Sequence, residues 1–186
     1  ELTPSQKRWA VRVLVRGLWL PDELSTITTP EDQSSEIGFR ETIVKALVKV
    51  GMDETDVLIK VMEPLTHRYG TAFLAAAELL EKLKKPETLY LLERMLNNTL
   101  LHDETRATAY QQDFYWDPTA QQRRPLTKEK VIEPIIHAVG TIGGPEARDI
   151  LSRYRDQVAT GKVEQPSANI ANFMERFLGD EAFEGG

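Results

Sequence analysis

Apolar residues recur every three or four positions along most of the chain, with short polar segments between the runs. This spacing places apolar side chains on one face of an α-helix, and it predicts about eight helices. Thr3 and Thr127 can cap helix starts, and Gly51 is typical of a helix end. Pro64 and Pro134 fall inside helical patterns, where the lost backbone donor is expected to kink or break the helix.

Three segments share the order helix, short turn and second helix. In the first copy Asp53 is the predicted cap of the second helix, and Glu54 follows it. Glu87 follows Glu54 by 33 residues, which gives the first two copies a 33-residue period. Glu146 follows Glu87 by 59 residues, about 26 more than one period. Stacked helix pairs form a solenoid, so the pattern predicts an all-α fold of stacked antiparallel helix pairs, with an insert before the third pair that leaves continuous stacking open.

The three copies resemble HEAT repeats, in particular the short bacterial HEAT-like kind. The matching segments are AVGTIGGPEARDIL from Ala138, LLEKLKKPETLYLL from Leu79 and ALVKVGMDETDVLI from Ala46. Together they cover somewhat over half of the chain. The resemblance implies a right-handed α-solenoid of the armadillo type. It further implies a noncatalytic scaffold or adaptor that binds a protein, on its own or within a larger protein. The alternative is a HEAT-like lyase or chaperone that acts on a cofactor or a client protein.

The chain is predicted to form one domain, because its length suits a single domain of ordinary size. Residues from Asp22 to Ser35 are rich in Ser, Thr, Pro and acids, which favours a loop. The predicted parts are an N-terminal helix and loop (1–35), two repeats (36–101), an aromatic insert (102–126), a third repeat (127–161), and a capping helix with its tail (162–186).

The insert is the strongest functional candidate in the sequence. Aromatic and Arg side chains provide large contact areas at low entropic cost and dominate binding hot spots. A long loop in a compact helical domain is also uncommon unless it is functional or disordered. The alternative is that its aromatics pack over the solenoid and fill the gap in the period. The candidate partner-binding residues of the insert are Tyr110, Phe114, Tyr115, Trp116, Arg123 and Arg124.

A second candidate surface is the concave side that the second helices would form in a solenoid. Lys60, Glu63, Glu93 and Arg94 are expected to be exposed there, and Arg94 is predicted to bind the partner. The tryptophans of the first helix are expected either in the core or against a preceding segment. Trp9 and Trp19 are ten positions apart and could share one helix face.

Charge and composition restrict the classes of partner. The formal charge of −6 disfavours a nucleic-acid binder, which needs clustered Lys and Arg. No apolar run approaches the length of a membrane span, so no membrane insertion is expected. The chain has no Cys, which leaves the compartment open. His67, His102 and His137 recur every 35 residues, but His67 and His137 have no His or carboxylate three or four positions later, and only Asp103 and Glu104 lie near His102. No metal, cofactor or catalytic residue is therefore predicted.

Overall fold

A computed structural model describes residues 2–24, 30–67, 70–101, 114–117, 119 and 122–179. Within these residues the chain is helical apart from one β-hairpin. The elements in chain order are α1 (Pro4–Leu24), α2 (Pro30–Gly51), α3 (Thr55–Met62), α4 (Ala72–Leu83), α5 (Leu89–Leu101), β1 (Phe114–Asp117), β2 (Gln122–Pro125), α6 (Lys128–Ile142), α7 (Gly144–Ala159) and α8 (Ala168–Gly179). The predicted helical fold is confirmed at this level, since the described residues hold eight α-helices.

Side-chain capping sets several helix starts. At α1 the Thr3 amide donates to Gln6 Oε1 at 2.8 Å, and the Gln6 amide donates back to Thr3 Oγ1 at 3.3 Å. At α6 the Lys130 amide donates to Thr127 Oγ1 at 3.3 Å. These bonds satisfy amides that have no partner inside the helix. The predicted caps at Thr3 and Thr127, and the predicted end of α2 at Gly51, are confirmed.

The predicted loop from Asp22 to Ser35 is wrong over most of its length. Helix α1 continues through Pro21 to Leu24, and α2 begins at Pro30. Proline has no backbone N–H, but the N–H groups of the first helical turn have no partner within the helix in any case. Acidic side chains are favourable at a helix N-terminus. The acids that follow Pro30 therefore suit a helix start as well as a loop.

Three further predictions concerned caps and prolines. Glu54, not Asp53, is the residue before α3, and its side chain makes no capping bond. Asp53 instead accepts a hydrogen bond from Lys7.

Pro64 breaks the helical run as predicted, since α3 ends at Met62 and a 3-10 helix spans Glu63–His67. Pro134 does not break α6, which continues through it.

The insert contains a β-hairpin, which the sequence analysis did not predict. Strands β1 and β2 are antiparallel and pair Tyr115 with Arg124 and Trp116 with Arg123. Aromatic residues favour strands. Asp117 Oδ1 accepts from the Thr119 amide at 3.0 Å, a local bond typical of a turn. Strand β1 also packs against α2.

The core centres on α4 and α6, which pack directly against each other. Helix α4 is buried on most sides because alanines allow close approach, and its buried residues are Ala72, Phe73, Ala75, Ala76, Ala77, Leu79, Leu80 and Leu83. Helix α2 packs on α4 from the other side, and α8 covers α6 and α7. The helices before the insert therefore pack directly on those after it. The sequence had left open whether this packing would continue.

Some hydrogen bonds between successive helix pairs share a sequence offset, whereas Arg94–His67 and Lys128–Leu100 span 27 and 28 residues. From the first pair to the second, Arg40 bonds Thr71 and Arg94 bonds Glu63, each across 31 residues. From the second pair to the third, Thr141 bonds Glu81 and Arg153 bonds Glu93, each across 60 residues. In these bonds the first helices of two successive pairs are separated by the same number of residues as the second helices.

Gly140 provides a test of how α8 is attached. A Cβ at this position would contact the Phe173 ring, lying 2.7 Å from Cε1. That ring is held by His137, 4.2 Å away between centroids, and by Phe177. We expect Gly140→Ala to lower the free energy of unfolding by about 1–2 kcal/mol, because the clash outweighs the helix propensity that alanine adds.

The matched control is Gly38→Ala on α2, where an added Cβ meets nothing within 4 Å. It should raise the free energy of unfolding by roughly 0.5–1 kcal/mol, through helix propensity alone. Urea denaturation measures both. A stabilised Gly140→Ala variant would show that α8 is not packed as described.

Candidate functional site

Side chains of α5 meet those of the 3-10 helix after α3 and those of α7. Helix α5 lies between the 3-10 helix that follows α3 and helix α7, and packs against both. Because Pro64 ends α3, the chain turns into the 3-10 helix and brings Glu63 and His67 beside α5. We call the exposed side chains along α3, α5 and α7 the second-helix surface: Lys60, Glu63, His67, Tyr90, Glu93, Arg94, Asn97, Arg153 and Gln157.

Arg94 joins α5 to the segment after α3. Its Nη1 donates to Glu63 Oε1 at 3.1 Å, and its Nη2 lies 2.7 Å from His67 Nε2. A guanidinium only donates, so Nε2 of His67 must be the acceptor and the ring proton must be on Nδ1. Tyr90 lies one turn before Arg94, and its pKa is raised by burial and by the charge of Glu63, with Arg94 opposing. The Tyr90 hydroxyl therefore stays neutral and can donate.

Arg153 joins α7 to α5. Its Nη2 donates to Glu93 Oε1 at 2.6 Å, and the two side chains are about half and one third exposed. A groove of about 130 Å³ lies between the helices at this pair, lined by Glu93, Leu96, Asn97, Ile150, Arg153, Tyr154 and Gln157. It offers charged and amide groups along its sides and apolar atoms from Leu96 and Ile150. Such a mixture suits a peptide segment that carries both polar and apolar side chains.

A larger groove, of about 500 Å³, lies between α1 and α3. Two ion pairs cross its end: Lys7 Nζ to Asp53 Oδ2 at 2.8 Å, and Arg8 Nε to Glu54 Oε2 at 3.0 Å. The hydrogen bond from Lys7, and then its charge, lower the pKa of the Asp53 carboxyl. The groove is lined by Arg8, Arg12, Asp53, Glu54, Thr55, Asp56, Val57, Lys60 and Val61.

The predicted concave surface is brought together in part. Glu63 and Arg94 form a direct pair, and Glu93 lies beside them on α5 but pairs with Arg153. Lys60 lies in the groove between α1 and α3. Arg153, Tyr154 and Gln157 were missed. The sequence feature that could have indicated them is the 59-residue spacing between Glu87 and Glu146. It predicts contacts between α5 and α7 at a similar sequence separation.

The candidate residues of the insert lie on the β-hairpin, apart from Arg94 on α5. Tyr110 lies outside the described residues. Phe114, Tyr115 and Trp116 form β1, while Arg123 and Arg124 are on β2. Arg124 Nε bonds Asp117 Oδ2 at 2.8 Å within the hairpin. Arg94, by contrast, bonds Glu63 and His67 rather than the hairpin.

Metal ligands and membrane-spanning helices are the other features that can be assessed in the described ranges. There, no three His, Asp or Glu side chains converge as metal ligands. His137 contacts the Phe173 ring, and His102 lies outside the described residues. No described helix is both long enough and apolar enough to cross a bilayer. No family model matches the chain, and no curated protein or solved structure is significantly similar to it.

Tyr154 gives a prediction for alkaline pH. Its side chain is buried, and burial, with a smaller effect of Glu129, raises its pKa to about 12. The unfolded chain ionises near the ordinary value of 10.0. The folded protein therefore keeps a proton that the unfolded chain loses, so Tyr154 stabilises the fold fully below pH 10 and less as pH rises towards 12.

We expect the free energy of unfolding of the wild type to fall by about 2 kcal/mol more than that of Tyr154→Phe over this interval. Urea denaturation at a series of pH values measures the difference, and Tyr154→Phe is the control for all other titrating groups. Parallel curves for the two proteins would contradict the prediction.

Proposed function

We propose that the chain is a noncatalytic protein-binding module built as a HEAT-like solenoid of stacked helix pairs. The equal offsets of 31 and of 60 residues in both helix layers support this architecture, since a solenoid repeats one pair-to-pair relation. The resemblance of the three hairpins to HEAT repeats supports it independently. In such folds the surface of the second helices is the usual place for a partner.

The run of ion pairs along the second-helix surface is the observation that supports binding there. Glu63, Arg94, Glu93 and Arg153 are partly exposed, and their charges alternate across three successive elements. Exposed ion pairs contribute only about 0–1 kcal/mol each to stability. Their more useful property is an ordered pattern of charges, which gives a binding surface its specificity.

The groove between α5 and α7 gives this surface a defined recess. Its lining combines the nearly buried Leu96 and Ile150 with the more exposed Glu93, Arg153 and Gln157, so polar and apolar side chains adjoin as they do in an interface. We infer that the partner inserts a peptide segment there and exchanges the Glu93–Arg153 pair for bonds of its own. The hairpin of the insert packs on α2 rather than at this groove, so its contribution to binding is a separate question.

Charge reversal in the groove tests the proposal. We expect Arg153→Glu to lower the amount of protein captured from the native cell extract by at least about tenfold, because it places two carboxylates side by side in the groove. The control is Arg155→Glu on the same helix. The two arginines are matched in side-chain exposure, at 55% and 56%, but Arg155 pairs only with its neighbour Asp156.

Captured proteins are quantified by mass spectrometry against each bait, and thermal melting confirms that both variants fold. If both variants retain the same captured proteins as the wild type, or if the wild type captures none, the groove is not the binding site.

The contribution of the insert is tested separately with Tyr115→Ala and Trp116→Ala. We expect the double variant to lose capture of the same proteins, by at least about tenfold, since aromatic residues dominate binding hot spots. If these residues act in binding alone, its melting temperature should stay within about 3 °C of the wild type. A large fall in melting temperature would instead indicate that these residues hold the hairpin on α2.

A further inference from the structure

Two large apolar side chains of α1 are exposed to solvent. Trp9 is 67% exposed, and Val13, one turn later on the same face, is about half exposed. Leu2, just before the helix, is also about half exposed. Trp19 on the same helix is only 2% exposed, so the two tryptophans do not share a face as the sequence suggested. Trp9 belongs to the surface, not the core.

The apolar face extends from α1 onto α2. Gly17 lies one turn after Val13, and a Cβ at Gly17 would meet Ile43 Cδ1 at 3.1 Å and Phe39 Cζ at 4.0 Å. The two helices therefore approach closely at this glycine, and Phe39 lies at the seam with about half of its surface exposed. We call Trp9, Val13 and Phe39 the α1 strip.

Two arginines that pair with no described residue border the α1 strip. Arg12 and Arg16 follow Trp9 by three and seven positions, which places them on the same side of the helix. Both are exposed, and neither forms a hydrogen bond or ion pair with another described residue. Lys7 and Arg8, in contrast, are paired with Asp53 and Glu54. Residues 2–21 contain no acid, although the whole chain has a charge of −6.

We propose that the α1 strip docks an acidic amphipathic segment of another protein. Apolar side chains of that segment would cover Trp9, Val13 and Phe39, and its carboxylates would accept bidentate bonds from Arg12 and Arg16. Tryptophan and arginine are the residues most enriched in binding hot spots, and a desolvated guanidinium needs a carboxylate partner. This site is separate from the groove between α5 and α7.

Charge complementarity favours an acidic protein segment over the other occupants. A second copy of this chain also has a charge of −6, so two copies repel each other at long range. An anionic membrane would repel the chain for the same reason, and two unpaired arginines are few for attachment to lipid headgroups. A short acidic segment of another protein carries few charges in total, and these lie directly opposite Arg12 and Arg16.

Peptide selection on the purified protein tests this inference. A display library of random peptides of about 12 residues is selected on the wild type, with Trp9→Ala/Arg12→Glu/Arg16→Glu used for counterselection. We expect enriched peptides with Asp or Glu three or four positions from Leu, Ile, Phe or Trp. Fluorescence anisotropy should give a Kd at least about tenfold higher for Arg12→Glu/Arg16→Glu and for Trp9→Ala, with weaker binding at high salt.

Arg153→Glu/Arg155→Glu has the same change in net charge as Arg12→Glu/Arg16→Glu and should bind the peptides like the wild type. Arg153→Glu should do so too, so a failure of the groove between α5 and α7 leaves this result unaffected. The inference is overturned if no peptides are enriched, if the enriched peptides are neutral or basic, or if they bind the variants equally well. It is also overturned if Trp9 instead mediates dimers in sedimentation or binding to vesicles of anionic phospholipid.

Discussion

The packing of α4 against α6 joins the two halves of the molecule. The two helices are separated in sequence by α5 and the insert, yet their apolar faces form the centre of the core. Alanines at Ala75, Ala76 and Ala77 let the backbones approach, and the contact fixes how the third helix pair lies on the second. Because α5 and α7 are attached to these two helices through short turns, the groove between α5 and α7 follows from this contact.

The ion pairs of the second-helix surface depend on the same arrangement. Glu93 and Arg153 meet at 2.6 Å only because the two pairs are shifted together by 60 residues, as Glu81 and Thr141 also are. Partly exposed pairs of this kind contribute little to stability. The apolar core stabilises the helix packing, and in the proposed function the charges set the specificity of the surface. Arg12 and Arg16, which pair with no described residue, would have the same role on α1.

Much of the local structure could be predicted from the sequence, because short-range physics determines it. The caps at Thr3 and Thr127, the end of α2 at Gly51 and the break at Pro64 involve residues within one turn of each other. The loop predicted before α2 was wrong because Pro30 and the acids after it suit a helix N-terminus as well as a loop. The β-hairpin was missed because the pairing of Tyr115 with Arg124 needs two strands at once.

The sequence by itself determined that apolar residues at helical spacing would form about eight helices, and that three related hairpins would have to bury their faces on one another. Only the tertiary structure decided which side chains remain exposed. Trp9 and Trp19 lie on one helix, but one faces solvent and the other the core, since neighbouring helices cover only one side of α1. In the same way, Arg94 meets Glu63 and His67 because α5 packs on the 3-10 helix. Such pairings depend on contacts between residues distant in sequence, which local patterns do not encode.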